Sequence, residues 1–368
     1  METRTQPFPV IVTSGSPAVR GFQYGEQARP RIRAAILGYE RVFRHYAGWE
    51  WSTVRRHASS FERWVAEFSP DSLAEIDGIA RGAGVERADI MALNTRSEIM
   101  FAARNAATPA ECTSFAVLPQ TPDAGPLLAG QNWDWLEFAT TIAVVLVAHR
   151  ATAPDFVTVA EAGTLAKVGL NETGLTLCTN TLISDGDEGR PGVPYHVLLR
   201  SVLDAPDLDT AVDVICSADR ACSANYLLSD GVARAVDLET APTTDGWRRI
   251  EPSNGAITHS NHFLTDGLTG EDRYLKAKPH SLDRLDSIRR RLDSEATRTV
   301  ADLKAVLADH ESSPSSVCQH ARAEVHPVER TLTVAGVVLD PSTTTMHYTC
   351  GQPCTAGWNE VGLSAPTS

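Results

Sequence analysis

Apolar residues at helical spacing dominate the first third of the chain. One stripe recurs every three or four residues, at Ile32, Ile36, Tyr39 and Phe43, and predicts one face of a helix. The segment Ser69–Ser72 is typical of a helix start and predicts a second helix that ends at Gly82. Residues 88–101 predict a third helix. We therefore expect residues 18–109 to be mainly helical.

From Cys112 onwards the pattern changes to short segments rich in Val, Leu, Thr and Ala, which favours strands. The apolar runs 115–118 and 127–130 flank a Pro-Asp-Ala-Gly turn and predict a hairpin, with Cys112 at the tip of one strand and Asp134 just past the end of the other. Further strands are predicted at 141–149, 156–161, 175–180, 226–229, 233–238, 331–339 and 344–349. Helices are predicted at 195–202, 208–216, 281–293 and 301–307. This order of elements indicates an α+β layered fold.

The composition, with 42% hydrophobic and 21% charged residues, is that of a globular protein able to bury a sizeable core. A net charge of −13 argues against nucleic acid or an anionic membrane surface as a partner. The longest apolar run, residues 141–148, has the length of a strand, well short of a membrane span. The first nine residues lack the apolar stretch of a secretory signal, so the seven scattered cysteines predict reduced thiols in the cytoplasm.

Cys112 is the candidate nucleophile. Cysteines beside apolar residues are commonly inert members of a core, and this alternative stays open for Cys112. If the bond between Glu111 and Cys112 were cut, however, the thiol would carry its own general base. The new α-amino group has an ordinary pKa near 8, which suits a base working at neutral pH.

Four short motifs carry a family resemblance: Cys112–Phe115, Asn132–Trp135, Ser260–Phe263 and Gly351–Cys354. In this order they resemble the acyl-coenzyme A:6-aminopenicillanic acid acyltransferase family, which consists of cysteine-type N-terminal-nucleophile (Ntn) hydrolases of peptidase family C45. Upstream segments, at 15–17, 20–25, 75–84 and 93–96, are similar to the family's prosegment.

The resemblance implies an αββα four-layer sandwich that cuts itself between Glu111 and Cys112. Residues 1–111 would be a helical prosegment and residues 112–368 the catalytic domain, and the two fragments would remain together as a heterodimer. Family members often carry glycine before the cysteine. Glu111 is bulkier and charged, so the strain that assists such a cut is less easily explained here.

The resemblance also assigns roles to four positions around Cys112. Asp134 would orient the new amine through a charge-assisted hydrogen bond, although an aspartate at a strand end also caps turns. Asn261 and the backbone N–H of Leu136 would stabilise the oxyanion, with a plain turn residue as the alternative for Asn261. Asn180 is similar to another polar position near the site.

The acyl pocket is less well defined by the sequence. Trp133, Trp135 and Phe115 are candidates for substrate binding, although aromatic residues beside strands are more often core. His259 and His262 flank Asn261, and we expect them to be structural.

Two cysteine motifs near the C-terminal end bear on metal and substrate binding. The segment Cys318–His320 has glutamine where relatives often carry arginine, which removes a cation that could contact an acidic substrate. Cys350 and Cys354 have the spacing of half a zinc site, but the sequence shows no second pair at ligand spacing. We therefore expect no metal and no cofactor.

The function indicated is an autoprocessed amidohydrolase that cleaves a small linear N-acyl amide through a thioester on Cys112. An acyltransferase would use the same residues, with acyl-CoA or an amine acceptor as the additional partner. A non-catalytic binding protein that keeps the fold uncut, and a thiol peptidase with a Cys–His pair, are the alternatives from other classes.

Overall fold

A computed structural model describes residues 7–103, 111–119, 125–292 and 299–363. The strands are β1 Val10–Ser14, β2 Thr113–Val117, β3 Leu128–Leu136, β4 Ala143–His149, β5 Phe156–Glu161, β6 Val168–Asn171, β7 Thr176–Thr181, β8 Ala224–Ser229, β9 Ala235–Thr240, β10 Trp247–Ile250, β11 Ala256–His259, β12 Thr331–Asp340, β13 Thr345–Thr349 and β14 Trp358–Gly362. The helices are α1 Pro17–Gln27, α2 Arg29–Ala47, α3 Trp51–Ser59, α4 Glu62–Phe68, α5 Pro70–Ala83, α6 Arg87–Asn94, α7 Arg96–Ala102, α8 Ala139–Ile142, α9 Tyr195–Leu203, α10 Leu208–Ser217, α11 Arg273–Ala277, α12 Ser281–Leu292 and α13 Val300–Leu307.

The strands form two sheets. The larger, which we call sheet A, has the order β1-β4-β5-β6-β7-β8-β9-β10, and the smaller, sheet B, has the order β11-β2-β3-β12-β13-β14. Strand β1 runs parallel to β4, and the remaining neighbours are antiparallel. Sheet A is therefore completed at one edge by a strand that precedes Cys112 by about a hundred residues.

The two sheets pack face to face, with β2 and β3 of sheet B against β7 and β8 of sheet A. Helices α12 and α13 cover the outer face of sheet B, and α9 covers the outer face of sheet A with α10 beside it. This is the αββα layering that the resemblance implied, and the expected fold class is confirmed. The main core fills the space between the sheets, and a second apolar cluster lies under α12 and α13.

The helical N-terminal region is held together by one very close helix pair. Helices α1 and α5 make the most extensive contact between helices in the described residues. Glycines line the crossing: a Cβ atom at Gly25 would lie 2.2 Å from the carbonyl oxygen of Ile79, and one at Gly78 would lie 2.4 Å from that of Ala18. Only glycine permits backbones to approach so closely.

Most predicted elements lie within two residues of their observed bounds. The Ser69 side chain accepts a hydrogen bond from the N–H of Ser72 and caps α5, as predicted. The predicted helix at 88–101 is wrong as one element, because Thr95 separates α6 from α7. The hairpin of β2 and β3 is confirmed, and its predicted turn lies partly outside the described residues. Strand β3 continues to Leu136, so Asp134 lies within the strand rather than past its end.

Candidate active site

Cys112 lies directly before β2, buried between the two sheets. Its backbone N–H donates to Oδ1 of Asn261 at 2.7 Å, and its carbonyl oxygen accepts from a guanidinium N–H of Arg284, also at 2.7 Å. The thiol lies 3.9 Å from the carbonyl oxygen of Asp134 on the neighbouring strand. Burial raises the pKa of the Cys112 thiol, although the positive charge of Lys167 acts in the opposite direction.

Arg284 is a member of the site that the sequence analysis missed. It is fully buried on α12 and also bonds Oγ1 of Thr113 at 3.1 Å and Oδ1 of Asn261 at 3.0 Å. One guanidinium therefore fixes Cys112 and Asn261 relative to each other. A signal was present in the sequence, because Arg284 falls on the same helix face as the apolar Leu285, Ile288 and Leu292 of the second core cluster.

Asn261 follows β11 in a buried loop, and its contacts assign the orientation of its amide. Oδ1 accepts from Cys112 and Arg284, whereas Nδ2 donates to the carbonyl oxygen of Thr181 at 3.0 Å. The Nδ2 amide has two hydrogens, so one can donate to Thr181 while the second remains able to donate to another acceptor. The structure thus brings Asn261 against Cys112, with an amide donor available in the same side chain.

Asp134 is completely buried, opposite Glu111, whose N–H donates to the Asp134 carbonyl oxygen at 3.4 Å. Its Oδ1 accepts from the Thr333 hydroxyl at 2.6 Å, whereas Oδ2 has no hydrogen-bond partner among the described residues. Burial raises the pKa of Asp134 well above its ordinary value, and the charge of Arg284 and the Thr333 hydroxyl offset this only in part. A cation formed nearby would favour the ionised carboxylate and act against this rise in pKa.

The Leu136 N–H and Asn180 are placed on two sides of this centre. Since Glu137 N–H donates to the carbonyl oxygen of Arg330, directly before β12, the alternation of an antiparallel ladder directs the Leu136 N–H to the other edge of β3, where β2 begins. Asn180 reaches across from sheet A and accepts from the Ser114 hydroxyl at 2.6 Å. Its buried Nδ2 has no partner among the described residues.

The aromatic candidates separate into different environments. Trp133 is fully buried opposite Cys112, with the Lys167 ammonium 6.0 Å from its ring centroid. Trp135 is turned towards the N-terminal helices, where its indole N–H donates to the Tyr39 hydroxyl at 2.7 Å. Phe115 packs under α12 and α13 on the outer face of sheet B. Alternation along β2 points Phe115 away from Cys112, and a role of Phe115 in substrate binding stays a prediction.

The Glu111 carboxylate, on the N-terminal side of the candidate cleavage bond, lies in a polar cradle. Lys278 Nζ and Gln319 Nε2 each donate to it at 2.5 Å, and His280 Nε2 contacts it at 3.0 Å. Burial alone would raise the pKa of Glu111, but the His280 hydrogen bond and the charges of Lys278 and Arg284 outweigh it and hold the pKa well below its usual range. Glu111, Lys278, His280 and Gln319 also line a cleft of about 360 Å³.

Lys167 is a second buried cation that the sequence analysis missed. It lies between Trp133 and Tyr195, with Nζ 3.5 Å from the Tyr195 hydroxyl and 5.2 Å from that ring's centroid. Burial lowers the pKa of Lys167 to about 8. A single lysine within the apolar run from Leu165 to Leu170 was the available signal.

The histidines next to Asn261 are engaged elsewhere. His259 contacts the Glu239 carboxylate at 2.9 Å, and His262 contacts the Ser281 hydroxyl at 2.9 Å. Burial would lower the pKa of His259, but the charges of Asp237 and Glu239 raise it overall. Neither imidazole contacts Cys112, which agrees with the expected structural role.

The potential metal ligands that meet in the structure differ from the pair that sequence spacing suggested. Cys350 accepts a hydrogen bond from the Phe8 N–H and is not part of a ligand pair with Cys354. Instead, Cys354 lies beside Cys318, His310 and His320, whose sulfur and nitrogen atoms all fall within 4.8 Å of one another. Sequence spacing could not reveal this group, because its four members come from three separate segments.

Comparison with known proteins identifies a relative that is similar in sequence along most of the chain. The chain is 27% identical over 335 residues to the 40 kDa form of acyl-coenzyme A:6-aminopenicillanic-acid-acyltransferase from Emericella nidulans, over 90% of this chain and 89% of that protein. The relative is thus matched along nearly its whole length. No helix in the described ranges is both long and apolar enough to cross a membrane.

Among solved structures, the chain is similar to a variant of conjugated bile acid hydrolase from Clostridium perfringens, with a TM-score of 0.48 and 15% identity over 68% of this chain and 92% of that one. It is also similar to penicillin V acylase from Agrobacterium tumefaciens, with a TM-score of 0.44 and 14% identity over 69% and 86% of the two chains. The sequence profile of one family matches residues 121–355, a stretch that covers more than half of the chain and includes Asp134 and Asn261. The chain belongs to the acyl-coenzyme A:6-aminopenicillanic acid acyl-transferase family.

Proposed function

We propose that this protein is an autoprocessed N-terminal-cysteine amidohydrolase that cleaves a small linear N-acyl amide through a thioester on Cys112. The observation that carries the proposal is the set of contacts around Cys112. Its N–H is held by Asn261, its carbonyl oxygen by Arg284, and its thiol lies beside Asp134. These contacts would position the sulfur, the future α-amine and a side-chain amide together at the start of one strand.

Self-cleavage needs a base before any α-amine exists. We assign this role to Lys167, whose pKa of about 8 leaves part of it neutral at physiological pH. It would take the thiol proton, and the sulfur would attack the Glu111 carbonyl carbon. As the C–N bond breaks, the Cys112 nitrogen gains a proton and Glu111 becomes a thioester on Cys112. Water then breaks the C–S bond, which leaves a carboxylate on Glu111 and restores the Cys112 thiol, next to the α-amine that was freed in the preceding step.

The mature enzyme would use the new α-amine as its base. The amine takes the thiol proton during attack on the substrate amide and returns it to the leaving amine. Asp134 is suited to orient the resulting ammonium, since its buried Oδ2 meets no donor among the residues that the structure describes and such a contact is charge-assisted. The second Nδ2 hydrogen of Asn261 and the Leu136 N–H would stabilise the oxyanion.

The fragment 1–111 would remain attached after the cut, giving a heterodimer of the chain's own two pieces. Strand β1 forms five residue pairs with β4 at the edge of sheet A. Arg96 bonds the Glu161 carboxylate, with both side chains 1% exposed. Separating the fragments would break this ion pair, because Arg96 and Glu161 belong to different fragments. Removing one partner of a buried ion pair is strongly destabilising.

The Glu111 cradle suggests which acyl groups to test first. In the thioester of self-cleavage, Glu111 is itself the acyl group, and three carbons separate its carboxylate from the reacting carbonyl, as in a glutaryl group. Lys278, His280 and Gln319 bind that carboxylate. We therefore infer that N-acyl amides with a carboxylate at this distance are bound better than neutral ones of equal length.

Acyl transfer to an amine is the second candidate, and it is favoured by the name of the Emericella nidulans relative, an acyltransferase. Acyl-CoA would then supply the thioester, or an amine would replace water in the last step. Every residue named above would keep its role.

The seven cysteines, none of them in a disulfide, are consistent with a reducing compartment such as the cytoplasm.

Denaturing mass spectrometry of the purified protein tests self-cleavage. In proportion to 111 of 368 residues in a 39.7 kDa chain, we expect pieces of roughly 12 and roughly 28 kDa. Cys112→Ala should remain intact, and Cys216→Ser, a control on the remote α10, should be cut normally. An intact wild-type chain would refute the proposal and favour an uncut binding protein.

Activity is tested with fluorogenic amides that carry acetyl, butyryl or glutaryl groups, each with and without added amines. Hydrolysis releases the free acid, whereas acyl transfer gives a new amide whose yield rises with amine concentration. Burst kinetics are expected where deacylation is slow. Turnover that survives in Cys112→Ala would eliminate the thioester mechanism altogether.

A further inference from the structure

Four side chains outside the catalytic centre converge on one point near the surface. They are His310, Cys318, His320 and Cys354, which we call the Cys2His2 cluster. The two sulfur atoms are 3.6 Å apart, and the Nε2 atoms of the two imidazoles are 3.0 Å apart. The His320 nitrogen lies 3.2 Å from the Cys354 sulfur and 3.9 Å from that of Cys318.

These separations agree with a tetrahedral zinc site. With Zn–S near 2.3 Å and Zn–N near 2.05 Å, ideal angles place two sulfurs about 3.8 Å apart, a sulfur and a nitrogen about 3.6 Å apart, and two nitrogens about 3.4 Å apart. The four distances above differ from these values by no more than about 0.4 Å, and the His310 nitrogen lies within 4.8 Å of each sulfur. Pairwise hydrogen bonding would not require all four donor atoms to meet at a common centre.

The cluster joins three segments that are distant in the sequence. His310 follows α13, Cys318 and His320 precede β12, and Cys354 follows β13. Three of the side chains are exposed and Cys318 is buried, so an ion could enter from solvent. Two thiolates and two neutral imidazoles would also balance the charge of one divalent cation.

We propose that the Cys2His2 cluster binds one Zn²⁺ ion as a structural site. Four protein ligands and no open position are typical of structural rather than catalytic zinc. Binding would fix residue 319, which lies between two of the ligands. The Gln319 amide donates to Glu111, and its backbone exchanges hydrogen bonds with Thr333 at 2.8 and 3.0 Å. Thr333 in turn donates to Asp134, so the ion would hold one wall of the catalytic centre.

Metal content is the direct test, and its readout does not depend on catalysis. Protein purified under reducing conditions without chelator should contain close to one zinc per chain by inductively coupled plasma mass spectrometry. Replacement by Co²⁺ should give the intense visible bands of a tetrahedral site with thiolate ligands. Cys354→Ser and His310→Ala, both at exposed positions, should each weaken zinc affinity by tenfold or more, whereas Cys216→Ser should retain the wild-type affinity.

Thermal unfolding adds a second readout, which distinguishes an ion that stabilises the fold from one that is bound adventitiously. A strong chelator should lower the unfolding midpoint of wild type and of Cys216→Ser, and should leave that of Cys354→Ser unchanged. Failure of the reduced wild-type protein to bind zinc or Co²⁺ would overturn the proposal. So would a Cys318–Cys354 disulfide in the protein purified under reducing conditions, or zinc retained undiminished by Cys354→Ser and His310→Ala.

Discussion

Replacement of Arg284 by methionine tests the idea that one buried guanidinium positions both the nucleophile and the amide donor. Methionine fills similar volume and removes the charge together with three hydrogen bonds, to Cys112, Thr113 and Asn261. Among the three acceptors, Oδ1 of Asn261 retains its hydrogen bond from the Cys112 N–H. The Cys112 carbonyl oxygen, by contrast, loses the side-chain donor described for it.

The magnitude follows from that inventory. The buried oxygens of Cys112 and Thr113 each lose a donor, and each such loss costs about 1–3 kcal/mol in the free energy of unfolding. Removing a charged hydrogen bond from the reacting residue raises the barrier by about 1.5–3 kcal/mol, which slows the reaction about 10- to 150-fold. Lysine should recover part of the rate, since it keeps the charge but cannot span Cys112 and Asn261 with two separate nitrogens.

The assay follows self-cleavage of newly made precursor by denaturing electrophoresis, and then turnover of the matured protein. Because Arg284 acts through positioning, we expect the loss mainly in kcat, with KM little changed. Arg290→Met is the matched control, an exposed arginine on the same helix. Wild-type rates of cutting and turnover in a folded Arg284→Met protein would refute the reasoning.

Four further changes test other parts of the molecule. Asn261→Ala should fold, and its kcat should fall about 10²- to 10³-fold, the effect of removing one oxyanion donor. Turnover near the wild-type rate would indicate that Asn261 is only a turn residue. Wild-type self-cleavage should rise with pH through about 8 as Lys167 loses its proton, and Lys167→Met should be slow and lack this inflection. In the uncut Cys112→Ala background, Glu111→Gln should lower the free energy of unfolding at pH 7. Since folding depresses the pKa of Glu111 from 4.5, the difference should shrink as pH falls below that value, and a pH-independent difference in urea titrations would contradict the cradle. Gly25→Ala should destabilise the fold by about 1–3 kcal/mol through overpacking against α5, with Gly357→Ala, which meets open space, unaffected.

Much of the architecture could be predicted from the sequence because it depends on short-range patterns. The spacing of apolar residues located α2 and α5, and the runs of Val and Leu located β4 and β12. The order of strands and helices then gave the α+β class. Even the orientation of Phe115 was available in principle, since residues 112 and 115 fall on opposite faces of a strand.

The contents of the site depended on long-range packing. Arg284 reaches Cys112 only because α12 covers sheet B, and Lys167 approaches Trp133 only because the two sheets stack. The local sequence shows both residues as charged positions within apolar segments, but it does not predict which partner each of them contacts.

The Cys2His2 cluster shows the same limit most clearly. Its ligands at 310, 318, 320 and 354 lack the paired spacing of a contiguous zinc motif, and the pairing of β12 with β13 brings Cys354 back to Cys318. The sequence by itself determined which residue types were present and which elements they formed. Only the tertiary structure decided which of them meet, because strand register and layer stacking fix distances between residues far apart in the chain.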